Sequence, residues 1–147
     1  MKKADAGQIG QLIASECLSV RVRRLGRLIT RIYDAALYPH GVGIAQLNLL
    51  SAIAASGGAR AVELARILEL EKSTLSRDLK RMEDAGWIRI ASPADGRVVT
   101  LTPSGSRLLL DVREAWEKAQ AAAEEELGRA TYAQLRNALP APLKGRT

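Results

Sequence analysis

The sequence predicts a mainly α-helical fold: a winged helix-turn-helix lobe with a two-stranded wing, flanked by long N- and C-terminal helices. Three observations lead there. A helical pattern stops at Gly86, and a short strand, a polar turn over 92–96 and a second strand from Val98 to Leu101 follow before a new helix starts near Thr102. The helix upstream of this hairpin carries Ser73, Thr74, Ser76, Arg77, Lys80 and Arg81 away from its apolar side, and Arg97 stands on the descending side of the hairpin tip. Both ends of the chain carry long apolar stripes at helical spacing.

The elements follow in order. Residues 1–9 are polar and read as loose. A long helix is expected from about Gly10 to Tyr38, punctuated by Pro39 and Gly41. Its residues Leu18, Val22, Leu25, Ile29, Ile32 and Ala36 repeat at spacings of 4, 3, 4, 3 and 4, a seam suited to packing along another long helix. Arg21, Arg23, Arg24, Arg27 and Arg31 occupy the remaining surface. They read as a solvated face, with contact to partner acids or DNA phosphate as the alternative.

A second helix spans Ile44 to Ser56, with Leu47, Leu50 and Ile53 or Ala54 inward, and Gly57-Gly58 ends it. A short third helix, Ala61 to Leu68, turns Val62, Ala65 and Leu64 or Leu68 to the core. The fourth runs from about Lys72 to Ala85 with Leu75, Leu79 and Met82 inward. Beyond the hairpin, a continuous helix is expected from Ser104 to Leu127, striped by Leu109, Val112, Trp116, Ala119, Ala123 and Leu127. Gly128 breaks it, and Thr131 is read as the N-cap of a last helix. The chain is read as one unit, 1–147. Segments 10–40 and 104–140 are too elongated to bury their stripes alone and so imply a symmetric dimer around the lobe 44–103.

Bulk properties narrow the function. The chain has 147 residues, 47% of them hydrophobic, with no Phe, two Trp and three Tyr, so aliphatic residues must fill the core. A formal charge of +6 favours polyanion partners, because neutralising phosphates releases counterions. A single cysteine excludes an internal disulfide framework and fits a reducing compartment. The polar N-terminus and the lack of a long apolar run point to a cytoplasmic protein with no membrane partner.

Taken in order, these segments are similar to the MarR-type transcriptional regulators. The likeness rests on Gly43-Ile44-Ala45-Gln46, Val62-Glu63-Leu64-Ala65 and Ser73-Thr74-Leu75-Ser76-Arg77. It continues through Leu79-Lys80-Arg81-Met82-Glu83, Gly86-Trp87-Ile88, Asp95-Gly96-Arg97 and Leu101-Thr102-Pro103-Ser104-Gly105. One departure is Ala45, where the family usually has Thr at the helix start. The resemblance implies a homodimer on double-stranded DNA, binding a palindromic operator as a repressor and released by a small lipophilic or phenolic effector. The fourth helix would enter the major groove with Ser73, Thr74, Ser76 and Arg77 near the bases, Arg77 being the residue suited to a bidentate guanine contact. Lys80 and Arg81 would touch phosphate, and Arg97 the minor groove. Asp95 would cap the hairpin turn and orient Arg97 or Arg89.

Tyr33, Tyr38 and Trp116 are candidates to line an effector crevice between the dimer helices and the DNA lobe, whereas Trp87 reads as core. Some relatives sense peroxides through a cysteine of the first helix supported by tyrosines. Cys17, with Arg21 and Arg24 nearby, could serve so, but Tyr33 and Tyr38 fall elsewhere, and a small buried apolar residue is the preferred reading. His40 has no histidine or cysteine neighbour in sequence, so no metal site is expected, and it reads as the end of the first helix. No catalytic constellation and no cofactor loop is recognisable, which sets an enzyme aside. A nonspecific nucleoid-type DNA binder and a protein-docking winged helix remain as rivals.

Overall fold

The computed structural model describes residues 5–92, 96–139 and 141. The chain is mainly helical, with one small antiparallel sheet. Residues 6–9, expected to be loose, are helical. α1 (Ala6–Glu16) starts at a capping box in which the Asp5 carboxylate accepts the Gln8 N–H at 2.9 Å and the Gln8 side chain accepts the Asp5 N–H. The expected continuous first helix is broken. Cys17 adopts an extended ψ of 114°, and α2 (Leu18–Leu37) restarts after it. The break deprives the last carbonyls of α1 of helical donors, and the Arg21 guanidinium crosses to the Ser15 carbonyl. A 3₁₀ turn over Tyr38–His40 closes α2, and Gly41, at φ +70°, supplies the left-handed residue that turns the chain away.

α3 (Ile44–Ser56) begins at Gly43, which has no side chain to cap it. The cap comes from another element: the Asp34 carboxylate of α2 accepts the Ile44 N–H at 2.8 Å, while the Gln46 side chain accepts the Gly43 N–H at 3.0 Å. Leu47, Leu49, Leu50, Ala52 and Ile53 are all buried, so α3 is covered on more than one side and its sequence shows no single apolar stripe. Ala54 is exposed.

α4 (Ala61–Ile67) packs through Ala61 and Leu64, one turn apart. That phase carries Val62 to the outside, 71% exposed, contrary to the expectation that it points inward. α5 (Lys72–Asp84) buries Leu75, Leu79 and Met82 as expected, and Asp78 with them. The wing strands β2 (Ile88–Ala91) and β3 (Val98–Leu101) pair antiparallel, Ile88 opposite Leu101 and Ala91 opposite Val98. In chain order they follow β1 (Ala59–Arg60), a third strand that the sequence did not announce. It pairs with the other edge of β3, so the spatial order is β1-β3-β2.

A helix starts near Thr102, as expected, and the Thr102 side chain caps α6 (Pro103–Asp111), accepting the Gly105 N–H at 3.1 Å. The long helix expected to follow is two. Val112, with ψ near −8°, divides α6 from α7 (Arg113–Leu127). The kink lets α6 pack on α3 while α7 lies along α2, which one straight rod could not do. α8 (Arg129–Ala138) is capped at Gly128 rather than Thr131, which lies in its first turn.

The buried centre joins Leu37 of α2, Leu49, Leu50 and Ile53 of α3, Leu64 of α4, Leu79 and Met82 of α5, Val99 of β3 and Val112. No helix among the described residues is long and apolar enough to cross a membrane.

Candidate nucleic-acid interface

The apolar stripe of α5 fixes its rotation and thereby presents the opposite face to solvent. Lys72, Ser73, Arg77, Lys80 and Arg81 are exposed there, whereas Thr74 and Ser76 are half-buried at its margins. Among the described residues no acid pairs with Arg77 or Arg81. Lys80 bonds Asp84 one turn on at 2.5 Å, and this hydrogen bond, with the carboxylate's charge, holds the ammonium above its ordinary pKa. The pair is exposed, so its net worth is small and a phosphate can compete for Lys80.

The wing lies beside the start of α5. Arg97, half-buried, lines one groove of about 340 Å³ with Lys72, Arg60 and the outward-turned Val62. Its carbonyl accepts the Ala61 N–H at 3.0 Å, which fastens the wing to the start of α4. Arg89 is exposed on β2 opposite Thr100. The other strand edge is tied as well: Glu83 of α5 accepts the Ile90 N–H at 3.1 Å. Asp95 lies outside the described residues.

The remaining expected site residues do not converge. Tyr33 sits where α2, α7 and α8 meet. Its hydroxyl donates to Gln120 Oε1, and Gln120 Nε2 donates to the Tyr132 hydroxyl at 2.5 Å. Burial, and then the neighbouring Tyr132, push the Tyr33 phenol above its usual value. Tyr38 is 83% exposed in the 3₁₀ turn. Trp116, 40% exposed, lines a cavity of about 290 Å³ with Leu47 and Ser51 of α3 and Leu109 of α6. Cys17 is half-exposed at the α1–α2 break rather than buried. His40 ends the 3₁₀ turn, and no group of His, Cys, Asp and Glu among the described residues could hold a metal ion.

A second cavity, about 270 Å³, lies between α2, α3 and α5 and is lined by Thr30, Ile44, Asn48, Leu70, Thr74 and Asp78. The sequence reading missed it, and missed Lys72 and Arg60 at the wing groove. A signal for the cavity existed: Asp78 falls one turn after Thr74 on the inward side of α5, where an acid is costly to bury.

Residues 40–98 match the family model described as the MarR family. The multiple antibiotic resistance protein MarR of Salmonella typhimurium is 34% identical over 94 residues, 57% of this chain; the chain thus spans 65% of that relative's length. A mutant E. coli MarR solved in complex with operator DNA superposes with a TM-score of 0.76 at 20% identity, over 96% of this chain and 100% of that one. The Mycobacterium tuberculosis transcriptional regulator MOSR, solved in complex with DNA, gives 0.71 at 29% identity, over 84% and 96%.

Proposed function

We propose that this chain, whose winged-helix segment 40–98 matches the MarR family model, is a homodimeric regulator of transcription of that family that binds double-stranded DNA sequence-specifically. The observation that carries the proposal is the shared groove of Lys72 and Arg97, which brings the start of α5 and the base of the wing to one basic face. A major groove admits one helix, and residues at the helix start reach base edges. In this reading Ser73, Thr74, Ser76 and Arg77 face the bases, with Arg77 on guanine. Lys80 and Arg81 meet phosphates, and Arg97 lies at the minor groove. That MarR and MOSR, which share this fold, were solved with DNA supports DNA as the partner.

The dimer is formed by the terminal helices. α1 buries none of its residues within its own chain, and Ile9, Leu12 and Ile13 stand exposed on one side of it, followed by Leu18 and Val22 on α2. Two copies present two α5 helices, so the operator is a palindrome with half-sites about 10 bp apart. The protein acts as a cytoplasmic repressor, and a small effector held between the dimer helices and the winged lobe releases it by favouring a different lobe spacing. Selection of binding sites from random duplex DNA tests the reading. A palindromic consensus is the expected result. Recovery of unrelated sequences with equal affinity would mean a nonspecific binder, and absence of salt-dependent DNA affinity would mean a protein-docking module.

A further inference from the structure

Asp78 is the one charged side chain buried among the described residues, with 9% of its surface exposed. It stands on α5, the helix assigned to DNA, yet points away from the basic face. No hydrogen bond or ion pair within the described chain reaches its carboxylate. Among the described residues no side-chain oxygen or nitrogen is sealed inside without a partner either, so the carboxylate opens onto the 270 Å³ cavity it lines. A carboxylate with no partner in its own chain, facing a small partly apolar cavity, offers a ligand cation an ion pair and hydrogen bonds.

We propose that this cavity binds a small amphipathic cation, a protonated amine carried on one apolar ring, with Asp78 as its counter-ion. The walls divide accordingly. Ile44, Leu68 and Leu70 supply an apolar surface for the ring. Thr30, Asn48 and Thr74 supply oxygens that accept the ammonium N–H bonds left over after one goes to Asp78. The volume is at the lower end of small-molecule sites, which span roughly 300–1,000 Å³, so a single ring with a short chain fits and a fused system does not. A carboxylate ligand would meet Asp78 as a like charge at low dielectric, and a neutral ring would leave the acid unpaired. Arg27 and Arg31 border a neighbouring groove that shares Thr30, but their charges lie in solvent and are screened.

Regulation at this site rests on the function proposed above. Thr30 belongs to α2, and Thr74 and Asp78 belong to α5, so an amine bridging them ties the DNA-contacting helix to the dimer helix. Thr74 is then held away from the bases, and operator affinity falls.

The probes are 2-phenylethylamine, 2-phenylethanol and phenylacetate, titrated calorimetrically into DNA-free full-length protein at neutral pH. The amine is expected to bind at least ten times tighter than either of the others. Asp78→Asn, which keeps the shape of the side chain, should erase that preference while leaving the alcohol unaffected. Asn48→Leu, which narrows the cavity from its exposed side, should weaken the amine at least tenfold and serves if Asp78→Asn does not fold. Equal or tighter binding of the alcohol or the carboxylate overturns the assignment. So does undetectable amine binding, or an amine affinity untouched by the variants. A parallel gel-shift series with amine present separates the two levels: amine binding without loss of operator affinity upholds the site and overturns its regulatory coupling.

Discussion

Gly105 shows how one residue can be required by its neighbours alone. A Cβ there would fall on the carbonyl oxygen of Trp87 and within 3.0 Å of its carbon, both rigid backbone atoms. Gly105→Ala is therefore expected to lower stability by about 1–3 kcal/mol, measured by chemical denaturation. Its neighbour Thr102 holds two bonds, accepting from the Gly105 N–H and donating to the Gly86 carbonyl at 2.6 Å. Thr102→Ala should cost about 1 kcal/mol as a lost N-cap. At the proposed interface, Arg77→Ala should cost about 1–3 kcal/mol of operator binding and relax one base position in a selection experiment. Arg97→Ala should instead weaken specific and nonspecific DNA alike and reduce the salt slope by about one charge per subunit. Arg77 was legible as a polar residue on an amphipathic helix and Arg97 as the basic residue of the hairpin. Asp78 was legible only as an acid on the inward side of α5; the cavity it lines depends on the helices packed opposite.

Among the elements, α5 and the wing strands emerged where the apolar pattern put them, since Leu75, Leu79 and Met82 encode a single buried face. The terminal helices emerged with the right character and the wrong continuity. A continuous helix was expected through Cys17 and another through Val112, but the backbone breaks at both points. Periodicity reports which residues want burial and is insensitive to one residue of altered ψ. The helix start at Ile44 emerged where the sequence put it, but its cap did not, because Asp34 lies on a different helix. α8 is fastened to α2 and α7 through Tyr33, Gln120 and Tyr132. The Tyr33 phenol titrates above its usual value of 10.0 in the folded chain. Its contribution to stability is thus intact below the unfolded-chain value and is lost as pH rises through the folded one. Unfolding free energy should fall in that alkaline window, and Tyr33→Phe should flatten the slope there.

For the whole molecule, the unsatisfied surface is the informative quantity. The winged lobe has its own buried centre, whereas α1 contributes nothing to it. Ile9, Leu12 and Ile13 are spaced to form one apolar strip on α1, which a second copy would cover. Replacing Leu12 and Ile13 together with Glu should leave the winged lobe folded and yield a monomer by analytical ultracentrifugation. Operator affinity should collapse with it, since each half-site would then be bound singly. A dimer that survives this change would move the interface elsewhere.

The order of amphipathic helices, the hairpin between them and the basic character of one helix face were written in residue periodicity and turn chemistry, because those depend on neighbours within a few positions. The helix breaks, the third strand, the cap lent by Asp34 and the cavity around Asp78 arose from segments distant along the chain. Each exists because backbone groups or charges left unsatisfied locally found their partners, or an open space, only when the helices came together.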